Sequence, residues 1–339
     1  MPTNPHIVLK SRPQGEPTVD NFELRVSDTP ELKDGEVLVR HQFLSLDPYM
    51  RGRMNEGKSY AQAQALDQVM IGGTVGVVEA SAHPKFAVGD SVVGMGGWQT
   101  YSVVNGDEPG MLRKVSTEHI ALSAYLGAVG MPGVTAWVGL TQICEPKEGE
   151  TVVVSAASGA VGTAVGQLAK ARGCRVVGIA GGPDKCSFVV NEAGFDACID
   201  YKAQADAKSL YKALKEATPN GVDCYFENVG GAIMDAVLLR TNAFARIAVC
   251  GMIAGYNGEP LPMQNPSLIL VNRIKVQGFI VSEHMGLWPQ ALQELGTMVA
   301  TGKLKYRETV ADGLAAAPEA FLGLLKGKNF GKQLVKISD

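Results

Sequence analysis

The chain has 339 residues, enough for roughly two domains of about 150 each, and its 46% hydrophobic and 19% charged content is that of a globular protein. A formal net charge of −3 argues against a polyanion as partner, since nucleic-acid binding rests on a basic face. There is no run of about 18 apolar residues to cross a membrane, and Met1 to Lys10 has neither the basic start nor the apolar stretch of a signal peptide, so a small-molecule function in the cytoplasm is expected.

Residues 1 to about 125 read as mostly β. Glu36 to Leu44 alternates apolar and polar in part, and 73–79, 91–94 and 98–104 are further short β-rich runs. Turn signals at 33–35, 87–90 and 105–107 divide them. Short strands with Gly-rich turns predict a compact barrel or sandwich.

From Thr151 the pattern changes. Strands at 151–155, 175–180, 197–200, 224–227, 246–250 and 275–281 alternate with helical runs at 160–172, 184–193 and 205–217. The strands are continuously apolar, which fits burial on both faces of a parallel sheet. After Tyr306 come a strand, a helix at 315–325 and a last strand at 332–337. Tyr211 and Lys215 match a Tyr-x3-Lys dyad, but they fall on the helix between the third and fourth strands, so the match is read as chance.

The most informative segment is 154–166, VSAASGAVGTAVG, which follows a strand and opens a helix. Against G-x-G-x-x-G it places Ala157, Gly159 and Gly162, with Ala160 and Val161 between the glycines and Gly166 a turn further on. A bare backbone at Gly159 lets a pyrophosphate approach the amides of the helix N-terminus, while Gly162 and Gly166 permit close packing on the strands. An NAD site usually carries an acid after the second strand to accept from the ribose 2′-OH. Here Ala180, Gly181 and Gly182 leave room and Lys185 is within reach, so NADP(H) is predicted over NAD(H). Asp184 is either that acid or, as preferred here, the cap of the helix it opens.

The six cysteines (144, 174, 186, 198, 224 and 250) show no C-x2-C or C-x4-C spacing, and the five histidines form neither H-x3-H nor HExxH. No metal site is expected, and the cysteines are read as small buried hydrophobes without redox pairs.

Several motifs now carry a resemblance. The segments 157–162 and 165–178 look like the medium-chain dehydrogenase/reductase superfamily. LSLDPYMRGRM at 44–54, GMPGVTA at 130–136, YFENVGG at 225–231 and LKGKNFGK at 325–332 resemble its zinc-free branch of prostaglandin reductases and plant alkenal double-bond reductases, over nearly the whole chain. The resemblance implies an α/β fold: a GroES-like β-barrel domain over 1–128, a Rossmann domain over 129–305, and a tail, 306–339, returning to the first. The zinc-dependent branch has a catalytic Cys near Ser45 and a following Gly-His-Glu. Here 71–76 reads IGGTVG, without His or Glu.

By the same resemblance, Lys185 and Tyr201 hold the 2′-phosphate beside Gly181 and Gly182. Asn228 lies beside the cofactor after the fourth strand. Cys250, Gly251 and Tyr256 line the ribose and nicotinamide side, Phe279 and Val281 back the ring, and Asn329 reaches it from the tail. Tyr201, Phe279 and Asn329 each have a plainer reading, as a strand-end cover, a core ring and a turn residue. Tyr49 and Tyr60, with Met50 and Trp98, are candidates for the substrate mouth or for ordinary packing. Arg51 and Arg53 meet a substrate carboxylate or form a solvated edge.

The implied chemistry is metal-free conjugate reduction of an enone or enal by NADPH, with Tyr256 organising donors around the carbonyl oxygen. A zinc-free quinone oxidoreductase and a non-catalytic NADPH-binding sensor are the competing readings. A homodimer is expected, with the apolar run 266–272 before Lys275 supplying an edge for sheet pairing.

Overall fold

The computed structural model describes residues 2–338, which divide into two compact units, residues up to Gly127 with those from Glu308 onward, and Ala128–Arg307. The first unit opens with an antiparallel pair, β1 (Thr3–Leu9) and β2 (Phe22–Asp28). β3 (Glu36–Ser45) follows, then a single helical turn, α1 (Tyr49–Arg53). β4 (Thr74–Ser81), β5 (Ser91–Gly94), β6 (Tyr101–Asn105) and β7 (Leu112–Lys114) complete the N-terminal part.

The second unit starts with α2 (Met131–Val138) and enters the α/β alternation at β8 (Thr151–Ser155). Then come α3 (Ala160–Ala171), β9 (Arg175–Ala180), α4 (Pro183–Asn191), β10 (Ala197–Asp200) and α5 (Ala207–Ala217). The second half runs through β11 (Val222–Glu227), α6 (Gly231–Leu238), β12 (Thr241–Val249), α7 (Ser267–Val271), β13 (Lys275–Gly278) and α8 (Trp288–Ala300). The chain then returns to the first unit with β14 (Glu308–Asp312), α9 (Ala317–Leu325) and β15 (Lys332–Lys336).

All six strands of the second unit are parallel, in the order β10-β9-β8-β11-β12-β13. β8 is buried at every position, which is why its sequence does not alternate. The order in which strands are added reverses between β8 and β11, and in open α/β sheets ligands bind at the carboxyl ends of the strands flanking that switch. This is the Rossmann arrangement.

The first unit is the GroES-like β arrangement, a seven-stranded sheet in which β15 lies between β14 and β3, antiparallel to β3 with Leu334 opposite Ser45. An aromatic cluster fills its core. Phe22 stacks on Trp98 at 5.4 Å between ring centroids, and Phe321 meets Trp98 edge-on at 5.7 Å. No described helix is long and apolar enough to cross a membrane.

Four local expectations need correction. The run 266–272 is the short helix α7, not a strand; a continuous apolar run has no period to separate the two, and Pro266 favours a helix start. The sheet edge is β13, which ends at Gly278, so Phe279 and Val281 lie beyond it. Trp98 lies before β6 rather than in it. Asp184 does not cap α4: the cap is Gly182, at φ 100°, and Asp184 sits in the first turn.

Candidate active site

The phosphate turn is built tightly on the sheet. Ala156, directly after β8, has φ 49°, the left-handed region that L-residues rarely adopt, and strain of this kind concentrates at functional turns. Ala157 is enclosed: its N–H donates to the Ile179 carbonyl at 3.1 Å, and its carbonyl accepts from the Thr163 hydroxyl at 3.0 Å. It shapes the turn through packing. A Cβ at Gly162 would stand 2.4 Å from the Ala156 carbonyl oxygen, so no side chain fits there. At Gly166 it would enter the Phe195 ring, 1.8 Å from Cζ. Gly159 is less crowded: a Cβ there would make one tight contact, 3.2 Å from the Ala156 oxygen. Gly159, Ala160 and Val161 are partly exposed, and Gly159 offers no capping side chain to α3. The first N–H groups of a helix have no intrahelical acceptor and carry its positive dipole end. The turn therefore fits a dinucleotide pyrophosphate.

A second cradle lies at the end of β9. The β10–β9 register sets Asp200 opposite Ala180, which brings Tyr201 and Lys202 beside Gly181 and Gly182. A Cβ at Gly181 would meet the Tyr201 ring at 2.9 Å and Lys202 Cε at 3.0 Å. Gly182 has open space around it. The Asp200 carboxylate accepts from the Gly182 and Lys202 amides, at 2.8 and 3.0 Å. The Lys185 ammonium is pushed below the usual lysine range by burial and by the charge of Lys202. Two cations that disfavour each other fit a 2′-phosphate dianion better than a neutral ribose hydroxyl. Lys202 was not singled out in the sequence; the signal is strand register, which becomes visible only when β10 is paired with β9.

Asn228 closes the switch point. Its side-chain amide donates to the Ser155 carbonyl at 2.8 Å and its backbone N–H to the Ser155 hydroxyl at 2.8 Å. That hydroxyl donates to Glu227 Oε1 at 2.8 Å. Glu227 is fully buried, and burial raises its carboxyl above the usual range. The Glu227 carbonyl accepts from the Cys250 and Gly251 amides at 2.9 and 3.2 Å. Burial pushes the Cys250 thiol up to about 12, so it is a neutral packing group. The Tyr256 hydroxyl stands over Gly251, 2.8 Å from where a Cβ would be. Asn228, Cys250, Gly251 and Tyr256 thus converge beyond β11 and β12.

The other expected residues have these local contacts. Phe279 is a core ring, edge-on to Phe226 at 6.1 Å and closing over Gly139. Val281 starts a 3-10 turn and its carbonyl accepts from the Trp288 indole at 3.2 Å. Asn329 donates to the Gly331 carbonyl at 2.7 Å in the loop before β15.

Within the first unit, Tyr49 and Tyr60 are brought together by Arg53, whose guanidinium is 4.8 Å from the Tyr60 ring centroid and 5.9 Å from that of Tyr49. Tyr60 is 57% exposed, whereas burial and the nearby Asp47 raise the Tyr49 phenol. Met50 and Trp98 have no exposed surface and belong to the aromatic core, so as placed they line no mouth. Arg51 is also enclosed, donating to Asn55 Oδ1 and to the Gly15 carbonyl, both at 2.7 Å; it holds a loop and meets no solvent.

The cysteines correct a further reading. Cys198 Sγ lies 3.1 Å from Cys186 Sγ, a pair that a spacing of 12 residues does not announce. Among the described residues no group of three or more His, Cys, Asp or Glu is placed to hold a metal ion.

Comparison with known proteins agrees with this geometry. Residues 5–112 match the family model described as the N-terminal domain of oxidoreductase, and residues 160–297 match the model described as zinc-binding dehydrogenase. The chain is 46% identical over 338 residues to the NADPH-dependent curcumin reductase of Escherichia coli (strain K12), covering 98% of this chain and 96% of that protein. It is 43% identical to the 2-alkenal reductase (NADP(+)-dependent) of Nicotiana tabacum, covering 99% and 98%. The crystal structure of CurA in complex with NADPH from Vibrio vulnificus is 47% identical and superposes with a TM-score of 0.92 over 99% of both chains. A Rossmann sheet with a glycine turn and a cationic cradle, likeness to these reductases along almost its full length, and both family models place the chain in the medium-chain dehydrogenase/reductase superfamily, in the group of the curcumin, alkenal and prostaglandin reductases.

Proposed function

We propose that this protein is an NADPH-dependent reductase of the C=C bond of α,β-unsaturated ketones and aldehydes. The observation that carries the reading is the convergence of Lys185, Lys202 and Tyr201 around Gly181 and Gly182, in a chain that shares 46% of its residues with an NADPH-dependent curcumin reductase. The α3 amides at Ala160 and Val161 would hold the pyrophosphate, and the β9–β10 cradle the 2′-phosphate. Asn228, Gly251 and Tyr256 are the residues proposed for the ribose and nicotinamide side, with Cys250, Phe279, Val281 and Asn329 as supports.

NADPH, when bound, supplies the hydride. The protein's part is to position the enone, exclude water and stabilise the negative charge that grows on the carbonyl oxygen. A preplaced hydroxyl donor lowers such a barrier because it needs no reorganisation as charge develops. Tyr256 is the donor assigned here. Tyr49 and Tyr60, joined through Arg53, offer an aromatic surface suited to a conjugated substrate.

The deciding experiment follows NADPH loss with a panel of enals, enones and quinones and identifies the products. Saturated ketones and aldehydes support the proposal. Hydroquinone as the main product would favour a quinone oxidoreductase, and tight NADPH binding without turnover a sensor.

We infer further that two copies pair in solution through the β13 edge. Lys275–Gly278 is exposed at all four positions, and Leu270 and Val271 beside it are 80% and 59% exposed. A monomeric mass by light scattering would overturn this. The six free thiols support a reducing, cytoplasmic setting.

A further inference from the structure

Cys186 lies in α4 and Cys198 in β10, with their sulfurs 3.1 Å apart. A disulfide bond is about 2.05 Å long, so joining them needs roughly 1 Å of closure. β10 is the outermost strand of its sheet and is paired on one side only. Both thiols are half-buried, whereas Cys144 and Cys224 are sealed in the core at 0% exposure. The Cys198 thiol donates to Cys186 Sγ, which favours charge on that sulfur, while burial and the Asp200 carboxylate hold the Cys186 thiol above its usual range, so the minor thiolate fraction is the reactive form.

The pair is set into the phosphate cradle. Cys186 directly follows Lys185. Cys198 is two residues before Asp200, whose carboxylate holds the Gly182 and Lys202 amides. Any movement that draws α4 and β10 together shifts Lys185 against Tyr201 and Lys202.

We propose that Cys186 and Cys198 form a reversible disulfide that disturbs the 2′-phosphate cradle and so makes NADPH binding respond to thiol oxidation. The oxidant is a small-molecule disulfide such as oxidised glutathione. The Cys186 thiolate attacks one glutathione sulfur, forming a mixed disulfide and releasing one glutathione thiolate. Cys198 then attacks Cys186 Sγ and releases the second. The two cysteines lose two electrons and two protons, and oxidised glutathione gains them as two thiols.

The coupling to cofactor rests on the NADPH reading above; the crosslink does not. The full-length protein is incubated with oxidised glutathione, and intact mass and peptide mapping locate any crosslink. Fluorescence titration then gives Kd for NADPH and for NADH before oxidation, after it and after re-reduction with dithiothreitol. The expected result is a Cys186–Cys198 crosslink, a tenfold or greater rise in the NADPH Kd, a change under threefold for NADH, and full reversal. Cys198→Ser should give no crosslink and a trapped glutathione adduct on Cys186. Absence of the crosslink in folded protein overturns the proposal with cofactor binding untouched, as does a crosslink that leaves both Kd values unchanged. Failure of the reduced protein to bind NADPH would instead overturn the cofactor assignment and with it the coupling.

Discussion

Lys332 Nζ lies 2.8 Å from Asp47 Oδ1, across 285 residues of sequence, with the two side chains only 4% and 8% exposed. Lys332 also donates to the Leu46 carbonyl at 2.7 Å, and the Ser45 hydroxyl donates to the other carboxylate oxygen. The last strand of the chain is thereby tied to the segment that leads into Tyr49. Removing one member of a buried pair strands the other charge, at a cost of about 3–5 kcal/mol. Lys332→Met is expected to lose stability on that scale in urea denaturation. A loss below about 1 kcal/mol would mean that water reaches Asp47 in its place.

Gly159 and Gly162 should separate cofactor contact from folding. The Gly162→Ala methyl meets backbone, so stability should fall by about 1–3 kcal/mol along with NADPH affinity. Gly159→Ala makes a single tight contact, 3.2 Å to the Ala156 oxygen, so its stability should fall less than that of Gly162→Ala while NADPH affinity drops tenfold or more. Unchanged affinity in Gly159→Ala would move the pyrophosphate away from this turn.

Lys185→Ala is expected to raise the KM for NADPH about tenfold or more, as loss of a charge-assisted hydrogen bond does, and to leave the KM for NADH nearly unchanged. An equal effect on both cofactors would assign Lys185 to the fold of α4.

Tyr256→Phe tests the oxygen donor. Loss of one such donor can lower kcat by about 10²–10³; an effect of at least tenfold on kcat/KM is expected here, with NADPH affinity kept. An unchanged kcat/KM would remove Tyr256 from the mechanism.

His41 predicts an acid-side weakness. It is 1% exposed, with Nε2 2.9 Å from the Ser102 hydroxyl, and burial lowers its pKa to about 3. In the unfolded chain it titrates near 6.5. Below pH 6.5 the unfolded state takes up a proton that the native state refuses, so stability present above that pH falls as pH drops toward 3. The slope for one proton is about 1.4 kcal/mol per pH unit. Denaturation midpoints measured from pH 7 to 4 should show this slope, and His41→Gln should reduce it. Identical slopes would place a proton on native His41.

The order of α/β elements, the glycine turn and the 2′-phosphate preference were legible in the sequence. Each is local: a buried parallel strand must be continuously apolar, and a phosphate cradle needs bare backbone within a few residues of a helix start. The sequence also set Lys185 after Gly181 and Gly182, and kept histidines and cysteines out of metal-binding spacings. What it left undecided depends on which strands pair. Register brings Lys202 to Lys185 and Cys198 to Cys186, and the return of β15 to β3 brings Lys332 to Asp47. Burial divided the residues of one motif, enclosing Met50 and Arg51 while Arg53 reaches Tyr60. A motif gives residue types in order, but the direction in which each points is set by packing against distant parts of the chain, and only the tertiary structure fixes that.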